Sequence, residues 1–122
     1  MKLHLQSGVV QLVTGTGEGW VRVNADEYRE SLVLTPDAVF PGAAPGGYAA
    51  LTAADFAALL VHRPEIVLLG TGDTQRFAHP QVYQALTDAR IGVEVMDTRA
   101  ACRTFNILAG EGRRVVALLL VG

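Results

Sequence analysis

Residues 65–80, EIVLLGTGDTQRFAHP, decide the fold that the sequence predicts. The apolar run 66–69 does not alternate with polar residues, which is typical of a strand covered on both faces, as in the centre of a parallel sheet. Ligands in open α/β sheets bind beyond the carboxyl ends of such strands. The turn that follows, Gly70-Thr71-Gly72, is therefore the first place to expect a site, although it indicates a location and not a reaction.

The order of elements around this strand favours a layered α/β fold. Helices are predicted over residues 52–62, over 80–90 and from 97–98 to about 110, with strands over 92–96 and 114–121. Pro80 suits the first turn of its helix, and the first helix should turn Phe56, Leu59 and Leu60 inward. Helices alternating with apolar strands predict a sheet with helices on its faces.

The first third of the chain predicts antiparallel, hairpin-connected strands over residues 1–15, 20–23 and 28–34. Its glycine-rich segment, Gly15-x-Gly17-x-Gly19, is either a phosphate-cradling loop or a hairpin turn, and the hairpin is favoured because no helix follows. The predicted fold class is α/β: a single compact layered domain over residues 1–122. It has a mixed sheet with antiparallel N-terminal hairpin strands and helices packed on the sheet.

Composition narrows the class of protein. The 122 residues are 50% hydrophobic and 18% charged, with a net charge of −2. A packed domain is expected, and nucleic-acid binding is not, because it requires a surplus of Lys and Arg. One cysteine fits a reducing compartment, and the apolar run near residue 115 is too short to span a bilayer. A cytoplasmic location without membrane insertion is therefore predicted.

Two loops are predicted to meet at one edge of the sheet if the strands at 66 and 92 are parallel neighbours. We call this edge the rim, and its candidate ligand-binding residues are Gly70, Thr71, Gly72, Asp97, Thr98 and Arg99. A helix N-terminus with Arg99 nearby can hold a small anion. Asp97 can instead cap that helix and occupy the anion position itself.

Motifs for catalysis, cofactors and metals are not found in the sequence. Gly70-x-Gly72 begins like a dinucleotide fingerprint, but Gln75 stands where the third glycine is required. The histidines are scattered and lack zinc-ligand spacing. Cys102 is either a thiol with a pKa lowered by the helix dipole or a small buried side chain. No catalytic residue, cofactor or metal is predicted.

Several segments together resemble the Mth938-like domain family of unknown function. These are Ser31-Leu32-Val33-Leu34-x-Pro36, Leu68-Leu69-Gly70-Thr71-Gly72, Gly92-x-Glu94-x-Met96-x-Thr98, Ala101-Cys102-Arg103-Thr104-Phe105-Asn106-x-Leu108 and Glu111-Gly112-Arg113. That family includes a mitochondrial respiratory complex I assembly factor and short bacterial proteins.

The resemblance implies a compact α/β fold with a mixed sheet, and it supplies no catalytic residues. Among its recurring polar positions, Asn106 is expected to satisfy a neighbouring loop, and Glu111 with Arg113 to form an ion pair. The others are Thr71, Glu94, Thr98 and Thr104.

The function predicted first is a non-enzymatic protein-binding or assembly-type module with an unknown protein partner. Its expected contact surface is the loop over residues 40–48, where Phe40, Pro41, Pro45 and Tyr48 are too many to bury in so short a segment. The alternative is a small-molecule or anion-binding protein, or an enzyme, with its site at the rim.

Overall fold

The computed structural model describes residues 10–121, and the predicted strand pieces within residues 1–9 lie outside them. The described chain has eight strands: β1 Val13–Gly17, β2 Trp20–Val23, β3 Asp26–Tyr28, β4 Leu32–Leu34, β5 Val39–Pro41, β6 Ile66–Gly70, β7 Gly92–Met96 and β8 Val115–Leu119. The α-helices are α1 Ala53–Ala57, α2 Gln84–Asp88 and α3 Thr98–Gly110, and 3₁₀ turns occupy Tyr48–Ala50, Ala58–His62 and Pro80–Tyr83. The predicted α/β class is confirmed.

A five-stranded mixed sheet has the strand order β5-β4-β8-β6-β7. Strand β6 is parallel to both β7 and β8, whereas β4 is antiparallel to β8 and β5. The sequence placed residues 66–69 at the centre, but they form one strand further out, and β8 takes the middle. All five residues of β8 are buried, as a strand covered on both faces requires.

The N-terminal strands form a separate antiparallel sheet in the order β1-β2-β3. Gly19, at φ 78°, supplies the positive φ in the first hairpin turn, so the hairpin interpretation of the glycine-rich segment is confirmed. The predicted single strand over 28–34 is wrong, because β3 and β4 belong to different sheets. Buried Ser31 fixes the bend between them: its carbonyl accepts the amides of Gly42 and Ala43, and its Oγ accepts the amide of Val121.

Two layers of helix cover the larger sheet. Helix α3 packs on one face together with the inward valines of the small sheet, and α1 and α2 pack on the other. Phe105 of α3 and Phe56 of α1 are fully buried in the two cores. This arrangement puts the small sheet beside α3.

The first two helices are shorter and tighter than predicted. Helix α1 begins with the Asp55 carboxylate accepting the Thr52 amide at 2.9 Å and continues as a 3₁₀ turn from Ala58. The 3₁₀ turn advances by 120° per residue and not by 100°, so Leu59 stays buried while Leu60 is exposed, contrary to prediction. Pro80 opens a 3₁₀ turn ahead of α2. Within residues 10–121, no helix is long and apolar enough to cross a membrane.

Candidate functional site

The predicted rim exists as one place in the fold. Strands β6 and β7 are parallel neighbours, so the loops that follow Gly70 and Met96 leave the sheet at the same end. Helix α3 begins there with Asp97 as its N-cap. The structure thus brings together the two loops that the sequence joined only by hypothesis.

Gly70 permits the close approach between β6 and the first turn of α3. A Cβ atom at this position would lie 2.9 Å from both the Cα and the Oγ1 of Thr98, and 3.2 Å from the Cβ of Ala101. Real Cβ atoms do not tolerate such distances to backbone. The absence of a side chain at Gly70 is therefore explained by helix–sheet packing.

The Thr71 side chain closes the loop that leaves β6. Its hydroxyl is buried, donates to the carbonyl oxygen of Thr74 at 2.7 Å, and accepts the amide of Arg76 at 3.2 Å. Its own amide donates to the Met96 carbonyl at 2.9 Å. The hydroxyl and the amide of Thr71 are thus both engaged by the fold.

Thr98 connects the helix N-terminus to two other segments. Its buried hydroxyl donates to the Leu120 carbonyl and accepts the Gly72 amide, both at 2.8 Å. Its amide donates to the Gly72 carbonyl at 2.9 Å. These three bonds fix the rim against the end of the β8 strand.

Asp97 caps α3, as one of the two predicted interpretations requires. Its Oδ1 accepts the amide of Ala100 at 2.8 Å. The carboxylate therefore occupies part of the position that an anion would take at a helix N-terminus. Arg99 is exposed beside it. Anion binding at the rim stays a prediction.

The β1–β2 hairpin contributes the part of the site that the sequence did not predict. It closes a cleft of about 520 Å³ against the rim. The cleft is lined by Thr16, Gly17, Glu18, Gly19, Trp20, Val21, Gly72, Asp73, Asp97, Thr98, Arg99, Leu120 and Val121. The sequence holds one sign of this arrangement, a glycine at 17 three residues before Trp20. In the structure these two residues pair across the hairpin, and the glycine leaves room for the large side chain.

Trp20 lies across the opposite strand of its hairpin. A Cβ atom at Gly17 would come within 2.3 Å of the indole Nε1, so only glycine lets the ring lie there. The Arg22 guanidinium carbon is 5.6 Å from the ring centroid. Arg22 is held in turn by Thr14, whose hydroxyl oxygen accepts a hydrogen bond from the Arg22 Nε at 3.2 Å. The indole is thus held by Gly17 on one side and by Arg22 on another.

The lining of the cleft is acidic. It contains three carboxylates, those of Glu18, Asp73 and Asp97, and one guanidinium, that of Arg99. Glu18 and Asp73 are exposed to solvent. The cleft therefore presents a negative surface to whatever enters it.

Cys102 is a buried side chain on α3, as the second of its two interpretations predicted. Burial raises the pKa of its thiol to about 12, although the nearby Arg103 acts in the opposite direction. The thiol is therefore protonated at neutral pH and is a weak nucleophile. Among residues 10–121, no group of three or more His, Cys, Asp or Glu side chains is arranged to hold a metal ion.

Two expectations from the family resemblance have different outcomes. Asn106 does satisfy a neighbouring segment: its Oδ1 accepts the Val13 amide and its Nδ2 donates to the Val13 carbonyl, both at 2.8 Å. The predicted pair of Glu111 with Arg113 is wrong, because Arg113 contacts Glu65 at 3.5 Å. Residue 113 lies just before β8, beside the start of β6, and so faces Glu65.

The predicted contact loop divides into an exposed and a packed part. Phe40 is 43% exposed and stacks on His62 with ring centroids 4.8 Å apart. Tyr48 is half-buried; its hydroxyl donates to the Phe77 carbonyl, and the Arg76 guanidinium lies 5.2 Å from its ring centroid. Pro41 and Pro45 are exposed as well, so the loop is accessible except at Tyr48, which packs against residues 76–77.

With this geometry established, comparison with known proteins places the chain among domains of this architecture. Residues 13–120 match the family described as protein of unknown function DUF498/DUF598. The chain belongs to this family, whose solved members include Mth938-like domains.

Solved structures support the same assignment. A protein from Bordetella parapertussis is similar at 35% identity, with a TM-score of 0.86 over 96% of this chain and 100% of that one. A Mth938-like domain from Bordetella pertussis is similar at 31% identity, with a TM-score of 0.72 over 99% and 92% of the two chains.

A curated relative with a stated role is the mouse NADH dehydrogenase [ubiquinone] 1 alpha subcomplex assembly factor 3. It is 50% identical over 62 residues, which are 51% of this chain and 34% of that protein. The matched segment thus spans about a third of the length of the relative.

Proposed function

We propose that this protein is a non-enzymatic binding module of the assembly type, which holds a protein partner. The observation that carries the proposal is the segment of 62 residues, half of them identical, shared with a complex I assembly factor. The partner of that relative is not transferred to this chain. What we propose for this chain is a role in assembly, the role that the name of the relative states.

The use of polar groups in the fold supports this proposal. The hydroxyls of Thr71 and Thr98 and the carboxylate of Asp97 are all held in hydrogen bonds within the chain. Groups held in this way support a rigid scaffold, and a rigid scaffold lowers the entropic cost of binding a partner. The Cys102 side chain, whose thiol has a pKa of about 12, is part of the hydrophobic core.

Two exposed apolar side chains, Phe40 of β5 and Val61 of the 3₁₀ turn after α1, form the contact surface that we propose to test. Val61 is 76% exposed and precedes His62, which stacks on Phe40. The test is affinity purification of tagged chain from extracts of the native host, comparing the wild type with a Phe40→Ser/Val61→Ser double variant. Ile107→Ser is the matched control, because Ile107 is 61% exposed on α3, at the opposite face of the sheet.

We expect a protein that co-purifies at fixed stoichiometry with the wild type and with Ile107→Ser, and less of it with the double variant. Equal capture by all three chains would exclude this surface. Failure to capture any protein, with the folded chain at micromolar concentration, would contradict the binding function.

The second candidate is binding of a small molecule, favoured by the cleft of about 520 Å³ beside the rim residues Gly72, Thr98 and Arg99. Ligand sites in proteins are concavities of this size. A small anion is disfavoured by the three carboxylates of the lining. Titration with phosphate, nucleotides and carboxylates, followed at the amides of residues 70–73 and 97–100, tests this candidate directly.

We place the protein in the cytoplasm, because its single, free cysteine fits a reducing compartment. Fractionation of host cells tests the location, and recovery in the membrane pellet after a salt wash would contradict it. The proposal includes no nucleic-acid partner, since the net charge of −2 gives no surplus of cations.

A further inference from the structure

We infer that the cleft between the β1–β2 hairpin and the rim receives a lysine or arginine side chain of the protein partner. This rests on the proposed binding function and specifies the chemistry of one contact. The charge of this ligand is opposite to that of the small anion that the sequence predicted for the rim.

The shape and lining of the cleft suit a long side chain with a charged end. Its volume of about 520 Å³ exceeds what one side chain needs, so neighbouring partner residues can enter with it. The carboxylates of Glu18 and Asp73 are exposed and can meet the cation.

The indole of Trp20 adds an attraction that distinguishes cations from other ligands. Tryptophan is the aromatic side chain that binds cations best through its ring face. The guanidinium carbon of Arg22 lies 5.6 Å from the centroid of this ring, so the indole accepts such a group within its own chain. Arg22 is not part of the cleft lining.

The competing occupants fit less well. A phosphate or carboxylate would meet three carboxylates and would find the Thr98 hydroxyl and the Asp97 cap position engaged. A metal ion requires a group of His, Cys, Asp or Glu side chains, and the described residues hold none of three or more. A cleft lined by three carboxylates and one guanidinium is complementary to a basic side chain.

Trp20 is the single tryptophan of the chain, so its fluorescence reports on the cleft without a label. The probes are acetyl-Gly-Lys-Gly-amide and acetyl-Gly-Arg-Gly-amide at low ionic strength. The neutral peptide acetyl-Gly-Gln-Gly-amide, the acidic peptide acetyl-Gly-Glu-Gly-amide and inorganic phosphate are the comparisons. Amide shifts of residues 17–20, 73 and 99, measured by NMR, localise any binding.

We expect saturable binding of the two basic peptides, weakened by salt, and no localised saturation by the others. Asp73→Asn should weaken it roughly two- to fivefold and Arg99→Gln should tighten it by a similar factor, as for one exposed charge. Glu111→Gln is the matched control and should change nothing, since Glu111 is an exposed carboxylate at the other end of α3. Asp97 is left intact because it caps the helix.

Tighter binding of phosphate or of the acidic peptide would overturn the inference, and so would the absence of saturable binding by both basic peptides. An Asp73→Asn variant that binds the lysine peptide as the wild type does would also overturn it. These peptide results do not depend on finding a partner. Conversely, a captured partner that binds the Asp73→Asn and Arg99→Gln variants unchanged would refute the cleft contact and leave the binding function standing.

Discussion

The replacement of Asn106 by Ala should weaken the attachment of the small sheet to α3. The Asn106 amide group makes two hydrogen bonds to the backbone of Val13, both 2.8 Å long, and joins α3 to β1. A hydrogen bond contributes about 0.5–1.5 kcal/mol net, and the Val13 groups would be left part-buried without partners. We therefore expect a loss of about 2 kcal/mol in the free energy of unfolding.

Urea denaturation, followed by Trp20 fluorescence and by far-UV circular dichroism, measures this loss. With a slope of about 1.5 kcal/mol per molar urea, the midpoint should fall by roughly 1.3 M. Ile107→Ala is the control, because Ile107 is the next residue on the same helix and is 61% exposed. Its free energy of unfolding should stay within about 0.5 kcal/mol of the wild-type value.

Asn106→Asp tests the same geometry through pH. One carboxylate oxygen can still accept the Val13 amide, but the other faces the Val13 carbonyl, which raises the pKa of the new carboxyl in the folded state. The variant should be most stable relative to the wild type below the unfolded pKa of about 3.9, and should lose that stability as pH rises through the folded pKa. An Asn106→Ala midpoint equal to that of Ile107→Ala, or an Asn106→Asp penalty independent of pH, would refute the reasoning.

Three other outcomes follow from single positions. Gly70→Ala should cost about 1–3 kcal/mol, because its Cβ would lie 2.9 Å from the Cα of Thr98, whereas Gly110→Ala, with nothing within 4 Å, should not destabilise in the same thermal melt. Cys102 should react with a thiol reagent only as fast as the chain unfolds, since burial raises its pKa to about 12; rapid reaction of folded protein would contradict this. The pKa of His62 is lowered by burial and then by the charge of Arg114, so the unfolded state binds the proton more readily; stability should fall as pH drops below about 6.5, and a His62→Asn variant should lose that slope.

Local patterns were sufficient where one segment dictates its own structure. The apolar run at 66–69 formed part of β6, and the Asp97 side chain capped α3. Both features can be predicted from adjacent residues, the first from an unbroken apolar pattern and the second from the residue type before the helix. The chain's switch between sheets at Ser31 was missed, since two strands separated by a bend have the same periodicity as one continuous strand.

Contacts between distant segments were outside the reach of the sequence. Asn106 was expected to satisfy a neighbouring loop, but its actual partner, Val13, is 93 residues away. The cleft likewise combines the hairpin around Glu18 with Asp73 and Arg99, which no spacing connects. The structure brings the two rim loops together, and four of the six candidate residues, Gly72, Asp97, Thr98 and Arg99, border the cleft. About half of its lining comes from a hairpin that the sequence predicted only as a turn.

The position of β8 determines when this protein can fold during its synthesis. Strand β8 lies in the middle of the larger sheet but follows every other described strand in the chain, and its Leu119 pairs with Leu32. Until residues 115–119 have been synthesised, the strand that lies between β4 and β6 is missing. The β4–β5 pair and the β6–β7 pair therefore stay apart, with their apolar faces uncovered. The small hairpin sheet can form earlier but cannot bury its valines. The core therefore forms only after residues 115–119 have been synthesised, and contacts of such long range make its folding slow.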